Sequence, residues 1–144
     1  MKSKKRVLFI CTKNSARSQM AEGLVNHDLA GHFEAFSAGT DPSLVHPLAI
    51  AAMLEIGIDI SSHRSKSMDE FSQERFEYVI TLCDQANESC PVFFGGTKRL
   101  HMGFPDPAAA EGGEEEKWSV FRKVRDKIRE DLEKFLREEG SEGS

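Results

Sequence analysis

The sequence predicts an α/β protein: a single-domain, four-stranded parallel sheet with helices on both faces. Three observations carry that prediction. Short apolar runs of strand length alternate along the chain with longer segments of helical period. The first run ends directly in a short polar loop that opens a helix, a junction that parallel sheets place at the carboxyl ends of their strands. The 144 residues, 39% hydrophobic and 30% charged, suit one domain of ordinary size and one core.

Each element has its own signal. Residues 5–10 contain the apolar run Val7-Leu8-Phe9-Ile10 and read as a buried strand. Residues 18–30 read as a helix, with Met20, Ala21, Leu24, Val25 and Leu29 on one face. Residues 32–37 form a second short strand, and 38–42 (Ala-Gly-Thr-Asp-Pro) a turn or loop. A second helix covers 47–56, opened by Pro47 and stopped by Gly57. Residues 76–82, β-branched and apolar, give the third strand, and 98–101 a short fourth. The longest helix runs over 114–137 on a stripe of Trp118, Phe121, Val124, Ile128, Leu132 and Phe135. Glu114, Glu115 and Glu116 suit its positive N-terminal end, and opposite charges four apart support its exposed side. The domain is expected to span 1–139, with 140–144 a disordered tail.

The chemistry concentrates in Cys11-Thr12-Lys13-Asn14-Ser15-Ala16-Arg17-Ser18. A strand delivers a cysteine into a loop whose backbone N–H groups turn inward where the next helix adds positive potential. Arg17 adds a guanidinium able to hold two oxygens at once. The stretch from Thr12 to Ser18 is therefore a cradle for a tetrahedral oxyanion, with Cys11 as nucleophile at its base. The same field favours the thiolate, as do hydroxyl hydrogen bonds from Ser15 and Ser18.

Cys83 and Cys90 lie seven positions apart in a polar segment. They read as incidental thiols on a surface helix, as a metal clip, or as a redox pair. Metal clips favour closer spacing and a second ligand pair, and because Cys11 is independently implicated the redox reading is preferred. Pairing requires the segment to curl, because extended it spans over ~20 Å. Both strands that precede Cys11 and Cys83 would end at the same sheet edge. Asp106 sits between Pro105 and Pro107 on a stiffened turn and is the candidate proton donor for a departing oxygen.

Several classes are excluded or disfavoured. A net charge of −5 argues against nucleic-acid binding. No apolar stretch approaches the ~20 residues that span a bilayer, and the basic start lacks a signal-peptide core, so a cytoplasmic protein without membrane partners is expected. The three cysteines do not make a disulfide framework. Nucleotide-binding fingerprints are absent, and the five histidines are dispersed and receive no role. No cofactor and no metal are expected, and the protein is expected to be a monomer.

These motifs in this order resemble the low-molecular-weight tyrosine-phosphatase superfamily, and within it the thioredoxin-coupled arsenate reductases. The resemblance covers residues 5–137. It rests on Cys11-Thr12-x-Asn14-Ser15-x-Arg17-Ser18-Gln19-Met20-Ala21-Glu22-Gly23, Ser37-Ala38-Gly39, Ile58-Asp59-Ile60-Ser61, Thr81-Leu82-Cys83 with Cys90-Pro91, Phe104-x-Asp106-Pro107, and the stretch from Phe121 to Asp126. The loop specifies only the superfamily, and the Cys83/Cys90 pair selects the reductase branch. The resemblance implies that Cys11 attacks arsenate held by the loop and Arg17, while Asp106 protonates the leaving oxygen. Cys83 then forms a disulfide with Cys11, Cys90 takes it over as Cys83–Cys90, and thioredoxin or a similar thiol reductant restores the dithiol. Phosphate and sulfate would compete as oxyanions.

Three positions depart from the pattern. Ala16 replaces a cysteine found in some members, which removes an oxidisable thiol and is expected to leave catalysis intact. Lys13 stands where relatives often have glycine or histidine, and is expected to face solvent. Lys66 stands where potassium-binding relatives have an aspartate beside the equivalents of Asn14, Glu22 and Ser37, so no potassium site is expected. The runner-up function is a phosphatase working through a Cys11 thiophosphate, disfavoured because Ala108-Ala109-Ala110 follows Asp106-Pro107 where an aromatic wall would be needed. A non-catalytic oxyanion sensor is the third reading.

Overall fold

The computed structural model describes residues 4–84 and 95–142, with side chains described as far as Glu139. Strands β1 (Lys5–Cys11), β2 (Phe33–Gly39), β3 (Phe76–Thr81) and β4 (Gly96–His101) form one sheet in the order β2-β1-β3-β4, every neighbouring pair parallel. Helices α1 (Arg17–Asp28), α2 (Pro47–Glu55) and α3 (Glu114–Glu142) connect and flank it, with short 3-10 helices at Met68–Phe71 and Pro107–Ala109.

β1 is central, so it is buried on both faces from Val7 to Cys11, which is why it reads as a continuous apolar run rather than an alternation. Its residues divide by parity between two clusters. Val7 and Phe9 join Ala35, Tyr78 and Ile80 under the apolar faces of the α-helices. Leu8 and Ile10 point the other way, to Ala38, Val79, Phe71 and Phe76. The two faces are therefore covered unequally. The three α-helices share the first cluster, while among the described residues the second is closed by the 3-10 helix Met68–Phe71. Among the described residues β4 is the last strand of the sheet, and its Lys98 and Arg99 are exposed.

Several boundaries differ from expectation by a residue or more, and two of the differences have a clear cause. β2 runs two residues further, to Gly39, because Gly39 N–H reaches the Lys66 carbonyl at 2.9 Å and a bridge to Ser67 prolongs the pairing. α3 continues to Glu142, through three of the five residues expected to be a disordered tail. Extending an existing helix costs little per residue, and the sequence after Arg137 holds no proline. Leu136, outside the expected stripe, is fully buried, whereas Trp118 and Phe135 are only partly so. α2 stops at Gly57 as expected, where φ is +83°.

The order 2-1-3-4 sets the site. From β1 the chain first goes to one side, to β2, and later to the other, to β3. The gap beyond the carboxyl ends of β1 and β3 is therefore the switch point, where open parallel sheets bind ligands. Cys11 ends β1, and Cys83 lies two residues past β3. Leu82 N–H bonds to the Ile10 carbonyl at 2.8 Å, so the two cysteine-bearing ends run side by side.

Candidate active site

Cys11 is a free thiol, 2% exposed, at the floor of the loop that leads into α1. Its Sγ lies 2.9 Å from Ser18 Oγ. Ser18 Oγ in turn accepts a hydrogen bond from Asn14 Nδ2 at 2.8 Å, which leaves its hydroxyl hydrogen available to the sulfur.

The loop above the sulfur has its carbonyls turned away. The Thr12 carbonyl accepts from Asp41 N–H at 2.9 Å, and Lys13 from Ser65 Oγ at 2.8 Å. The Asn14 carbonyl accepts from Gln19 Nε2 at 3.3 Å, and Ser15 from His46 N–H at 3.0 Å. In a trans peptide the C=O of one residue and the N–H of the next point in opposite directions. Four carbonyls held outward therefore aim the N–H groups of Lys13, Asn14, Ser15 and Ala16 the other way. Asn14 makes this tight turn at φ +50°, in the left-handed region that asparagine tolerates best after glycine. Its side chain is tied through Oδ1 to Lys66 N–H and Gln19 Nε2, both at 2.9 Å. Gly39 has to lack a side chain, since a Cβ there would lie 2.5 Å from the Thr12 carbonyl oxygen.

α1 then begins with no side-chain cap: its N-cap is Ala16, and its first turn holds no acidic residue. By contrast, α2 is capped by His46 and the 3-10 helices by Ser67 and Asp106. Of these helix starts, that of α1 alone lacks a side-chain cap, and its buried first turn carries Ser18, whose hydroxyl adjoins the sulfur. Arg17, 3% exposed, donates to the Phe104 carbonyl at 3.2 Å and places a second guanidinium nitrogen 3.9 Å from Asp106 Oδ2. Asp106 is oriented by its own turn: Oδ1 accepts from Ala108 N–H at 3.0 Å, with Pro107 opening the 3-10 helix. A buried thiol, a guanidinium, a ring of N–H donors and a carboxyl at the rim can bind a tetrahedral dianion, attack it and protonate a departing oxygen.

The structure thus gathers Cys11, the stretch from Thr12 to Ser18, and Asp106 into one place. Lys13 contributes only main chain, because its ammonium turns outward to pair with the exposed Asp41 carboxylate. Cys83 is fully buried and disulfide-bonded. Cys90 lies outside the described residues. The groove beside Asp106 is lined by Asp84, Pro105, Ala109, Ala110 and Val120, with no aromatic ring among the described residues. Lys66 places its ammonium 3.7 Å from Glu22 Oε1, an oxygen that also accepts from Ser37 Oγ at 2.7 Å. Burial pushes the Lys66 pKa down, against the pull of Glu22.

Sequence reasoning did not single out Gln19, Asp41, His46 or Ser65, which hold the loop from outside. Gln19 carried one available signal: a fully buried polar residue one turn after the loop needs partners, and it finds Asn14, Arg64 and His63.

The fold and loop define a class. Residues 6–142 match the family model of the low molecular weight phosphotyrosine protein phosphatases, and the chain belongs to that family. Within it, the similarity runs to arsenate reductases. The arsenate reductase of Halalkalibacterium halodurans is 46% identical over 133 residues, covering 92% of this chain and 96% of that protein. A solved arsenate reductase in the phosphate-binding state superposes with a TM-score of 0.76 at 34% identity, covering 93% of this chain and 98% of the other. The Corynebacterium glutamicum thioredoxin-dependent arsenate reductase gives 0.66 at 28% identity, covering 92% of this chain and 62% of the other.

Proposed function

We propose that this protein reduces arsenate to arsenite through a three-thiol relay. The observation that carries the reading is the pairing of a free, hydrogen-bonded Cys11 under an uncapped helix start with Cys83 at the adjoining strand end. The relatives named arsenate reductase support it. Cys11 attacks arsenic, and Asp106 gives a proton to the oxygen that departs as water. Cys83 thiolate then attacks Cys11 Sγ. The S–As bond breaks with its electron pair going to arsenic, As(V) becomes As(III), and two thiols become one disulfide, so two electrons balance. Cys90 attacks Cys83, freeing Cys11 and leaving Cys83–Cys90 oxidised. A dithiol reductant of the thioredoxin kind, as the name of the C. glutamicum neighbour suggests, returns the two electrons. A disulfide at Cys83 beside a free Cys11 is the state expected once the disulfide has migrated.

The test is arsenate-dependent oxidation of NADPH through thioredoxin reductase and thioredoxin, with Cys11→Ser, Cys83→Ser and Cys90→Ser measured separately beside a phosphatase assay. Every single change abolishes reductase turnover. If Cys83→Ser and Cys90→Ser both keep full activity, the relay is wrong, and phosphate-ester hydrolysis by those variants would move the reading to a phosphatase.

A further inference from the structure

Ser65 lies between α2 and β3, far from Cys11 in sequence, and nothing in the chemistry above requires it. Its hydroxyl is nevertheless fully committed. It donates to the Lys13 carbonyl at 2.8 Å and accepts from Ser43 N–H at 2.9 Å, so the direction of its hydrogen is fixed. Among the described residues, Lys13 is the one of the four outward-held loop carbonyls that a side-chain hydroxyl restrains; Asp41 and His46 use main-chain N–H groups, and Gln19 has several partners. The peptide it restrains joins Lys13 to Asn14, whose φ is +50°. Rotating that peptide would change ψ of Lys13 and φ of Asn14 together, returning Asn14 toward the negative φ that non-glycine residues prefer. The Asn14 side chain, tied at both ends, does not prevent such a rotation of the preceding peptide.

We propose that Ser65 is a positioning residue for oxyanion binding: by holding the Lys13 carbonyl outward it keeps the Asn14 N–H aimed at the anion. The inference rests on the cradle reading of residues 11–18. Without the hydroxyl, the peptide turns its carbonyl toward the anion, which loses one donor and meets a like partial charge. Ser43 N–H lies at the surface, where water replaces the lost acceptor, so the effect belongs to the loop rather than to overall stability.

The experiment measures sulfate binding by calorimetry and arsenate kinetics for the wild type, Ser65→Ala and Ser65→Thr, with thermal unfolding alongside. Sulfate stays dianionic across the working range, so its affinity reports the loop alone. Ser65→Ala weakens sulfate and raises KM for arsenate by about tenfold, the scale of one hydrogen bond to a charged group, with kcat within about twofold. Ser65→Thr, which keeps the hydroxyl, restores both. Wild-type affinity in Ser65→Ala, or equal loss in Ser65→Thr, overturns the positioning role. If the wild type binds no oxyanion at all, the cradle reading itself fails.

Discussion

α1 begins and ends in two buried polar clusters that solve opposite problems. At its start, Arg17, Ser18, Gln19 and Asn14 are buried and hydrogen-bonded to one another or to main chain, around N–H groups and a guanidinium that favour negative charge. At its end, Asp28 meets Glu133 of α3. Two carboxyls share the space with Arg129, which bonds Asp28 at 2.9 Å, with Arg137 at 3.2 Å from Glu133, and with His27 at 2.8 Å from Asp28. Glu133 Oε2 is buried with no hydrogen-bond partner. Burial and the neighbouring Asp28 carboxylate push the Glu133 pKa up to about 7. Burial also works against Asp28, but hydrogen bonds from Glu133, His27 and Arg129 outweigh it and bring its pKa to about 2. The first cluster is preorganised for an arriving anion, whereas in the second burial and the adjacent Asp28 carboxylate disfavour ionised Glu133, which is relieved by taking up a proton. One helix can therefore anchor a functional site rigidly while its other end tolerates an imperfect arrangement, because only the first must present fixed donors to a ligand.

The largest effect is expected at the cradle. Arg17→Lys keeps the charge but loses the planar fork that spans the Phe104 carbonyl, the anion and the Asp106 side. A fall in kcat/KM of at least about 100-fold is expected by steady-state arsenate kinetics, on the scale of losing an oxyanion-stabilising donor. Near-wild-type activity in this variant would show that the cradle does not depend on guanidinium geometry.

The far end of the helix gives a smaller effect with a definite sign. A Glu133 pKa raised above its unfolded value of 4.5 means the folded state binds the extra proton. Its contribution is neutral or favourable below about pH 4.5 and becomes a penalty as pH rises through about 7. Glu133→Gln removes that penalty. Urea unfolding should find the variant more stable than wild type by ~1–2 kcal/mol at pH 8 and about equal at pH 4. Asp28 has the opposite sign: its stabilisation is present above pH 3.8 and is lost as pH falls toward 2. An unchanged pH dependence in Glu133→Gln would remove the contrast between the two clusters.

The smallest effect concerns Lys66. Because its ammonium already sits by Glu22, replacing sodium by potassium at constant ionic strength should change kcat/KM by less than about twofold. A strong potassium activation would show that the ammonium leaves this position and a cation takes it.

Much of the site was legible in the sequence because it is local. Cys11, the polar loop, and Arg17 at the start of a helix lie within eight residues, and an apolar run before them fixes the strand that presents them. Asp106 was legible through its two prolines, which set the turn before any tertiary contact forms. The end of α3 was not legible: the apolar stripe and charge pairs run out by Arg137, whereas the helix goes on to Glu142, since a helix once formed propagates cheaply. The outer supports of the loop were not legible. Asp41, His46 and Ser65 are 29, 31 and 52 positions from Thr12, Ser15 and Lys13, and no local pattern marks a surface serine or a main-chain N–H as a latch.

The sequence alone determined which atoms are available: a thiol at a strand end, a row of N–H groups, a fixed positive charge, and a carboxyl on a rigid turn. Periodicity and turn chemistry act over a few residues, so they settle these components and the alternation of strands and helices. Which way each peptide of the loop faces, and that β3 lies beside β1 so that the strand ends leading to Cys11 and Cys83 run side by side, was decided by tertiary structure. A peptide's direction depends on where its carbonyl finds a donor, and those donors arrive only when distant segments pack around the loop.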